Sequence, residues 1–158
     1  MTHPDKVAIS QTISVSAPAD LLYDMISDVT RTGEFSPVCT SCWWDVAGGP
    51  RVGAWFTGRN HNDERTWETR SQVVVAVPAQ EFAFIVGGTF VRWGYTLSPT
   101  AQGTEVTESW EFLPAGRAMF QERFGDNAAD RIATATQAAR EGIPLTLLAL
   151  KRAAEAEC

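Results

Sequence analysis

The sequence contains few of the residues on which metal sites and disulfide frameworks depend. Its 158 residues include two histidines, His3 and His61, and three cysteines. A structural zinc site needs about four Cys, His or carboxylate ligands, and the segment around His61 offers one histidine and one aspartate, so we expect no metal. Gly48–Gly49 and Gly87–Gly88 lie in predicted hairpins rather than in phosphate-binding loops, so we expect no nucleotide and no other cofactor.

Basic clusters and long apolar runs are also missing. The formal net charge is −6, and without a basic run the chain has no surface suited to phosphate backbones, so nucleic acid is not an expected partner. No apolar run reaches the roughly 20 residues that a membrane helix requires, so we expect no membrane insertion. The N-terminal segment MTHPDKVAIS lacks the basic-then-apolar layout of a secretory signal, which predicts a cytoplasmic protein.

The chain does have the composition of an ordinary globular protein. Hydrophobic residues make up 44% of it and charged residues 20%, both close to the usual proportions. A chain of this length is expected to form a single domain over residues 1–158, as a monomer or homodimer. It is long enough to bury a core that needs no metal or disulfide to hold it together.

Cys39 and Cys42 form the only C-x-x-C motif. A zinc site would need two further ligands, and a redox pair would ordinarily stand at the N-terminus of a helix. Trp43 and Trp44, which follow the motif, are instead typical of a strand. We therefore expect two buried or half-buried thiols, and a free, inert Cys158 at the C-terminus.

The hydrophobic pattern predicts an α+β order of elements. Alternation and turn residues predict seven strands over residues 7–16, 39–47, 53–60, 65–77, 80–86, 90–97 and 104–113. Two short helices fall between the first and second strands, and one long helix covers 118–156, where Gly142 and Pro144 are expected to cause a kink. Tight turns between successive strands indicate an antiparallel sheet. That sheet would wrap around the long helix, with space for a cavity between them.

The longest predicted strand, RTWETRSQVVVAV, changes character along its length. Because side chains alternate across a strand, Trp67, Thr69, Ser71, Val73 and Val75 share one face. An ordinary core strand would not place two hydroxyl groups inward. We therefore interpret this face as the wall of a partly polar cavity.

The same alternation predicts which other residues line that cavity. Trp93, Tyr95, Glu108 and Trp110 share the inner face on the last two strands. The third strand has two possible inner faces, of which we favour the one with Phe56 and Asn60, and Phe35 is expected to close the mouth. Aromatic walls with a few polar groups are typical of small-molecule pockets. The alternative is that the rings simply fill the core.

Glu108 is the most informative of these residues. Between Val106 and Trp110 its carboxylate would be desolvated, which raises the pKa and suits the group to acid–base work. The alternative is a structural ion pair with Arg131 or Arg140. Glu108 and Tyr95 are the candidate catalytic residues, since a tyrosine hydroxyl beside the base would donate to a carbonyl oxygen.

Three short motifs, with the element order and Ala17-Pro18 before the first helix, carry a family resemblance. They are the R-x-W-E run at Arg65, the W-x-Y at Trp93 and the G-T-E…E-F between Gly103 and Phe112. Together they resemble the START-like, Bet v 1-like (SRPBCC) superfamily, and within it the polyketide cyclase/dehydrase and lipid-transport family. The resemblance implies a helix-grip fold. In the aromatase/cyclases of this superfamily the strand with this run carries an inward arginine, and the aligned residue here is Val73, which argues against the same chemistry.

These observations predict that the protein binds a small hydrophobic or aromatic ligand, lipid-like or polyketide-like, between the sheet and the terminal helix. A first alternative is a polyketide-type cyclase or dehydratase that acts on that ligand. A second is a protein-interaction module of the co-chaperone or toxin-antitoxin type. The last would present an exposed apolar patch of several hundred Å².

Overall fold

Strands dominate the first two thirds of the chain and helices the last third. A computed structural model describes residues 7–158. Its α-helices are α1 (Ala19–Ser27), α2 (Pro114–Phe124) and α3 (Ala128–Glu157), and Val29–Glu34 and Gly125–Asn127 form 3-10 helices. The strands are β1 (Val7–Val15), β2 (Cys39–Trp44), β3 (Trp55–His61), β4 (Thr66–Val77), β5 (Glu81–Val86), β6 (Val91–Thr100) and β7 (Gly103–Phe112).

The seven strands form one antiparallel sheet in the order β1-β7-β6-β5-β4-β3-β2. Strands β2 to β7 pair with their neighbours in sequence, as short turns require. The first strand crosses to the far edge and pairs with the last, with Val7 opposite Phe112 and Val15 opposite Thr104. The sheet and its terminal helix confirm the predicted α+β helix-grip fold.

The terminal helix differs from the prediction of one helix over 118–156. It begins earlier, at Pro114, where the missing amide hydrogen of proline is harmless. It is then interrupted at Gly125, whose φ of 53° leaves the helical region. The chain makes a 3-10 turn there, and α3 continues through Pro144 to Glu157.

One face of α3 packs against the sheet. Ile143, Leu147, Leu150 and Ala154 recur at helical spacing and are all buried. Helix α1 packs against β5 and β6, where the Tyr23 ring meets Phe82 edge-on with centroids 6.4 Å apart. No helix within residues 7–158 is both long enough and apolar enough to span a bilayer.

A bulge in β4 overturns one detail of the predicted alternation. The register with β5 shifts between Val73 and Val75, so the face of the strand changes there. Ala76 therefore packs against the core, in the place that strict alternation assigned to Val75. The residues before the bulge keep the predicted face.

Candidate functional site

A cavity of about 500 Å³ lies between the inner face of the sheet and helix α3. Strands β2 to β7 contribute its wall, and the Val29–Glu34 helix, α2 and α3 close the remaining sides. Its volume falls in the range of about 300–1,000 Å³ that is usual for small-molecule sites. The space between sheet and helix that the sequence predicts is therefore present.

All ten residues predicted from the sequence as site residues line this cavity. They are Phe35, Phe56, Asn60, Trp67, Thr69, Ser71, Trp93, Tyr95, Glu108 and Trp110. The sheet register brings them together in pairs. Asn60 faces Trp67 and Phe56 faces Ser71 across β3 and β4. Trp93 faces Trp110 and Tyr95 faces Glu108 across β6 and β7.

Several aromatic residues of the cavity were missed from the sequence. Phe84 on β5 packs edge-on against Phe56 with ring centroids 5.0 Å apart. Phe120 packs in the same way against Phe112, also at 5.0 Å, and Phe124 continues the row at 5.2 Å. Strand β5 is apolar on both faces, so alternation gave no signal. For Phe120 and Phe124, the signal available was the spacing of the phenylalanines between residues 112 and 124.

The Tyr95 hydroxyl donates a hydrogen bond of 2.8 Å to Glu108 Oε2. Glu108 is 2% exposed, and its Oε1 is buried without a hydrogen-bond partner among residues 7–158. Burial raises the pKa of the Glu108 carboxyl to about 8, although the tyrosine hydrogen bond opposes the shift. Burial and the neighbouring carboxyl also raise the pKa of Tyr95 well above its usual value. The pair is therefore neutral at pH 7.

The ion pair considered for Glu108 does not form within the described residues. Arg131 stacks its guanidinium 4.8 Å from the ring centroid of Phe124, and Arg140 Nη1 donates to Gln137. A buried carboxylate with a partner of opposite charge would keep a low pKa. Its absence is why desolvation decides the protonation state of Glu108.

A second polar group lies on β3 and β4. Asn60 Nδ2 donates to Thr69 Oγ1 over 3.2 Å and to the Gly58 carbonyl over 3.4 Å. Ser71, further along β4, is 2% exposed. Strand β5, with Phe82 and Phe84, separates this group from Tyr95 and Glu108 in the sheet. The cavity thus has two polar regions divided by aromatic rings.

Two arginines that sequence reasoning did not assign also line the cavity. The Arg65 guanidinium lies 4.8 Å from the Trp67 ring centroid, and Arg131 stands over Phe124. Both side chains are exposed, so each adds a positive charge at the edge of the cavity.

Metal ligands do not converge anywhere in the part of the chain that the structure describes. No group of three or more His, Cys, Asp and Glu side chains is placed to hold an ion there. His3 lies outside the described residues. Cys39 and Cys42 are buried free thiols, as predicted, and Cys158 is free and exposed.

Comparison with known proteins gives matches by family and by structure. Residues 6–154 match the family described as polyketide cyclase/dehydrase and lipid transport. The polyketide-cyclase-like protein Cgl2372 of Corynebacterium glutamicum, solved by NMR, shares 48% identity at a TM-score of 0.73, over 98% of this chain and 94% of its own. No curated protein sequence matches.

Two further structures share the fold at low identity. StfQ, the di-domain aromatase/cyclase of steffimycin biosynthesis, aligns with a TM-score of 0.74 at 14% identity, over 96% of this chain and 51% of its own. NE0264 of Nitrosomonas europaea aligns with a TM-score of 0.69 at 14% identity, over 96% of both chains. Since the family match spans nearly the whole sequence, the chain belongs to the polyketide cyclase/dehydrase and lipid transport family.

Proposed function

We propose that the protein binds a small hydrophobic or aromatic molecule in the cavity between the sheet and α3. The observation that carries the proposal is a space of about 500 Å³ walled by aromatic rings, with an unsatisfied buried carboxyl oxygen on Glu108. A buried polar atom without a partner costs roughly 1–3 kcal/mol. A ligand hydroxyl or carbonyl at Oε1 would remove that cost.

The chemistry of the walls favours a flat, uncharged ligand. Trp67, Trp93 and Trp110 offer ring faces and edges for stacking. Glu108 and Tyr95 are neutral at pH 7. A ligand carboxylate beside them would therefore lose its hydration water without gaining a partner of opposite charge. The family's description includes polyketide chemistry and lipid transport, and an oxygenated aromatic compound or a polyketide-like chain suits these walls better than a free fatty acid.

Binding can be tested through intrinsic tryptophan fluorescence, because three tryptophans line the cavity. We expect a polyphenol to produce saturable quenching, and a fatty acid a weaker effect. Thr69→Phe would place a ring inside the cavity and should abolish the change. Thr96→Phe adds the same ring on the exposed face of β6 and is the matched control. Equal quenching by both variants would contradict the proposed site.

The acid–base character of Glu108 favours a second candidate function, a cyclase or dehydratase that acts on the bound molecule. A pKa of about 8 lets the carboxyl exchange its proton near neutral pH. In its ionised form, whose share grows as pH rises towards 8, Glu108 would act as a base and take a proton from the carbon beside a ligand carbonyl. A hydroxyl of Tyr95, Ser71 or Thr69 would then donate to the enolate oxygen.

This candidate is tested by turnover of a poly-β-ketone, followed as the appearance of aromatic absorbance. Glu108→Gln keeps the shape of the side chain and removes the base, so turnover should stop while ligand quenching persists. Glu105→Gln changes an exposed carboxylate on the same strand and should have no effect. Turnover by Glu108→Gln at the wild-type rate would exclude Glu108 as the base.

A further inference from the structure

Cys39 and Cys42 lie on the same face of β2, although a regular strand would point residues three apart in opposite directions. The register with β3 shifts between Cys39 and Ser41: Cys39 is opposite Asn60, and Ser41 is opposite Arg59. This irregularity adds one residue to the strand and turns both thiols inward. Both line the cavity, with exposures of 9% and 8%.

The residue beneath the two sulfur atoms is Gly58, opposite Cys42 on β3. A Cβ at this position would lie 3.6 Å from Cys42 Sγ and 3.8 Å from Cys39 Sγ. Both sulfur atoms therefore lie next to the backbone of Gly58, which carries no side chain. No side chain at this position separates them from the cavity.

The two neighbouring thiols are unequal, and the Cys39 thiol donates a hydrogen bond, of 3.4 Å, to the Ser41 carbonyl. The neighbouring Cys42 thiol lowers the pKa of Cys39, whereas the neighbouring Cys39 thiol and then burial raise the pKa of Cys42. Cys39 is thus the better thiolate and Cys42 the proton donor. This asymmetry between an attacking and a resolving thiol is typical of reactive C-x-x-C pairs.

We propose that Cys39 and Cys42 form a redox-active dithiol in the cavity wall, which a small hydroperoxide entering the cavity oxidises to a disulfide. The objection from the sequence was the missing helix N-terminus at the motif. Here the register shift turns both thiols to the same side, over Gly58, and the unequal surroundings of the two thiols supply the asymmetry. Because both thiols are buried from bulk solvent, the cavity is their route of access.

The oxidation balances in two steps. The Cys39 thiolate attacks the terminal oxygen of the hydroperoxide ROOH, the O–O bond breaks, and the alcohol ROH leaves with the thiol proton. The resulting Cys39 sulfenic acid is then attacked by Cys42 sulfur. Its hydroxyl departs as water with the Cys42 proton, and the S–S bond forms. Two electrons pass from the dithiol to the peroxide.

The first test uses hydrogen peroxide on the Cys158→Ser variant, whose remaining thiols are the proposed pair. We expect both to be lost together, with a mass decrease of about 2 Da for the two hydrogens removed. The variant carrying Cys39→Ser and Cys42→Ser retains Cys158 and reports the rate of an exposed thiol. We expect the pair to react about tenfold faster. The proposal is wrong if both thiols of the Cys158→Ser variant still titrate after the time in which Cys158 of the other variant is oxidised.

The second test assigns the roles of the two thiols in the Cys158→Ser background. Cys42→Ser should stop the reaction at a Cys39 sulfenic acid that dimedone traps, whereas Cys39→Ser should trap almost none. Circular dichroism confirms that both variants fold. Equal trapping at both positions would overturn the assignment of Cys39 as the attacking thiol.

A further variant tests whether the peroxide reaches the two thiols through the cavity. Gly58→Ala would insert a methyl group at ordinary contact distance from both sulfur atoms, so it covers them without a clash. We expect oxidation to slow several-fold, and an unchanged rate would show that the peroxide arrives by another route.

Protection of the dithiol by a polyphenol rests on the proposed ligand-binding function. A polyphenol that quenches the tryptophans should also slow oxidation. If oxidation proceeds but the polyphenol neither quenches nor protects, the ligand proposal fails and the dithiol proposal stands.

Discussion

Tyr95 and Glu108 stand opposite each other on β6 and β7, and the tyrosine hydroxyl donates to one carboxyl oxygen over 2.8 Å. Because the hydroxyl is committed to Oε2, the proton of the neutral carboxyl is free to reside on Oε1. That oxygen has no partner among residues 7–158. A neutral Glu108 therefore offers the cavity a hydrogen-bond donor, and an ionised Glu108 offers an acceptor.

The raised pKa of Glu108 predicts that stability falls as pH rises. Between the ordinary value of 4.5 and the folded value of about 8, the unfolded chain ionises and the folded protein does not. The contribution is complete below pH 4.5 and is lost as pH rises through about 8, at a slope of about 1.4 kcal/mol per pH unit. Urea unfolding of the wild type at pH 5, 6.5 and 8 should show a loss of a few kcal/mol from this group.

The side chain at this position is neutral at every pH in Glu108→Gln. The variant should therefore lack the loss of unfolding free energy that the ionisation of Glu108 causes as pH rises. The difference in unfolding free energy between variant and wild type should therefore shift in favour of the variant as pH rises. Glu105→Gln, at an exposed position of β7, should follow the wild-type curve. A parallel pH dependence in wild type and Glu108→Gln would show that Glu108 is ionised in the folded protein.

Removal of the tyrosine hydroxyl should raise the pKa of Glu108 further. The hydrogen bond from Tyr95 favours the ionised carboxylate, so Tyr95→Phe removes the group that opposes desolvation. We also expect a loss of about 1–3 kcal/mol in stability near pH 7, because Oε2 becomes unpartnered. Infrared titration of the protonated carboxyl band measures the shift.

Tyr23→Phe is the matched control for that measurement. Tyr23 is also buried, but its hydroxyl lies beside Ser27 rather than Glu108. The Glu108 midpoint should not move in this variant. An equal shift in the two variants would mean that a general loosening, and not the lost hydrogen bond, changes the pKa.

Two helical glycines should respond to alanine with opposite signs. A Cβ at Gly116 in α2 would lie 2.4 Å from the Phe90 carbonyl oxygen, so Gly116→Ala should lower the free energy of unfolding by about 1–3 kcal/mol. A Cβ at Gly142 in α3 would approach nothing closer than Pro37 Cγ, at 3.8 Å. Gly142→Ala should therefore raise stability by about 0.5–1 kcal/mol. Urea unfolding measures both. A gain of stability in Gly116→Ala would contradict the close approach of α2 to Phe90, and a loss in Gly142→Ala would contradict the open space around Gly142.

Uninterrupted strand alternation made most of the cavity predictable. Trp67 and Ser71 precede the bulge of β4, and Tyr95 and Glu108 lie on regular paired strands, so parity alone gave their faces correctly. The predictions failed where one extra residue interrupts the alternation of a strand, or where one backbone angle interrupts a helix. Val75 was placed on the wrong face because of the bulge before it.

The burial of Cys39 and Cys42 was predicted, but their arrangement on one face was not, for the same reason. Regular alternation would place residues 39 and 42 on opposite faces, and nothing in the local sequence marks the irregularity that turns both inward. The break in the terminal helix did have a signal, since Gly125 is followed by Asp126 and Asn127, all poor helix formers. The helical pattern on both sides outweighed it.

The crossing of β1 to the far edge of the sheet has a consequence for how the protein folds. Thr12 Oγ1 lies 2.8 Å from Thr107 Oγ1, so the β1–β7 contact joins residues 95 positions apart. Hairpins from β2 to β7 can form from neighbouring segments, but β1 must wait until the far end of the chain has left the ribosome. Closing so long a loop costs entropy before it gains contacts. We therefore expect β1 to join last, with its edge partner unprotected on the nascent chain until then.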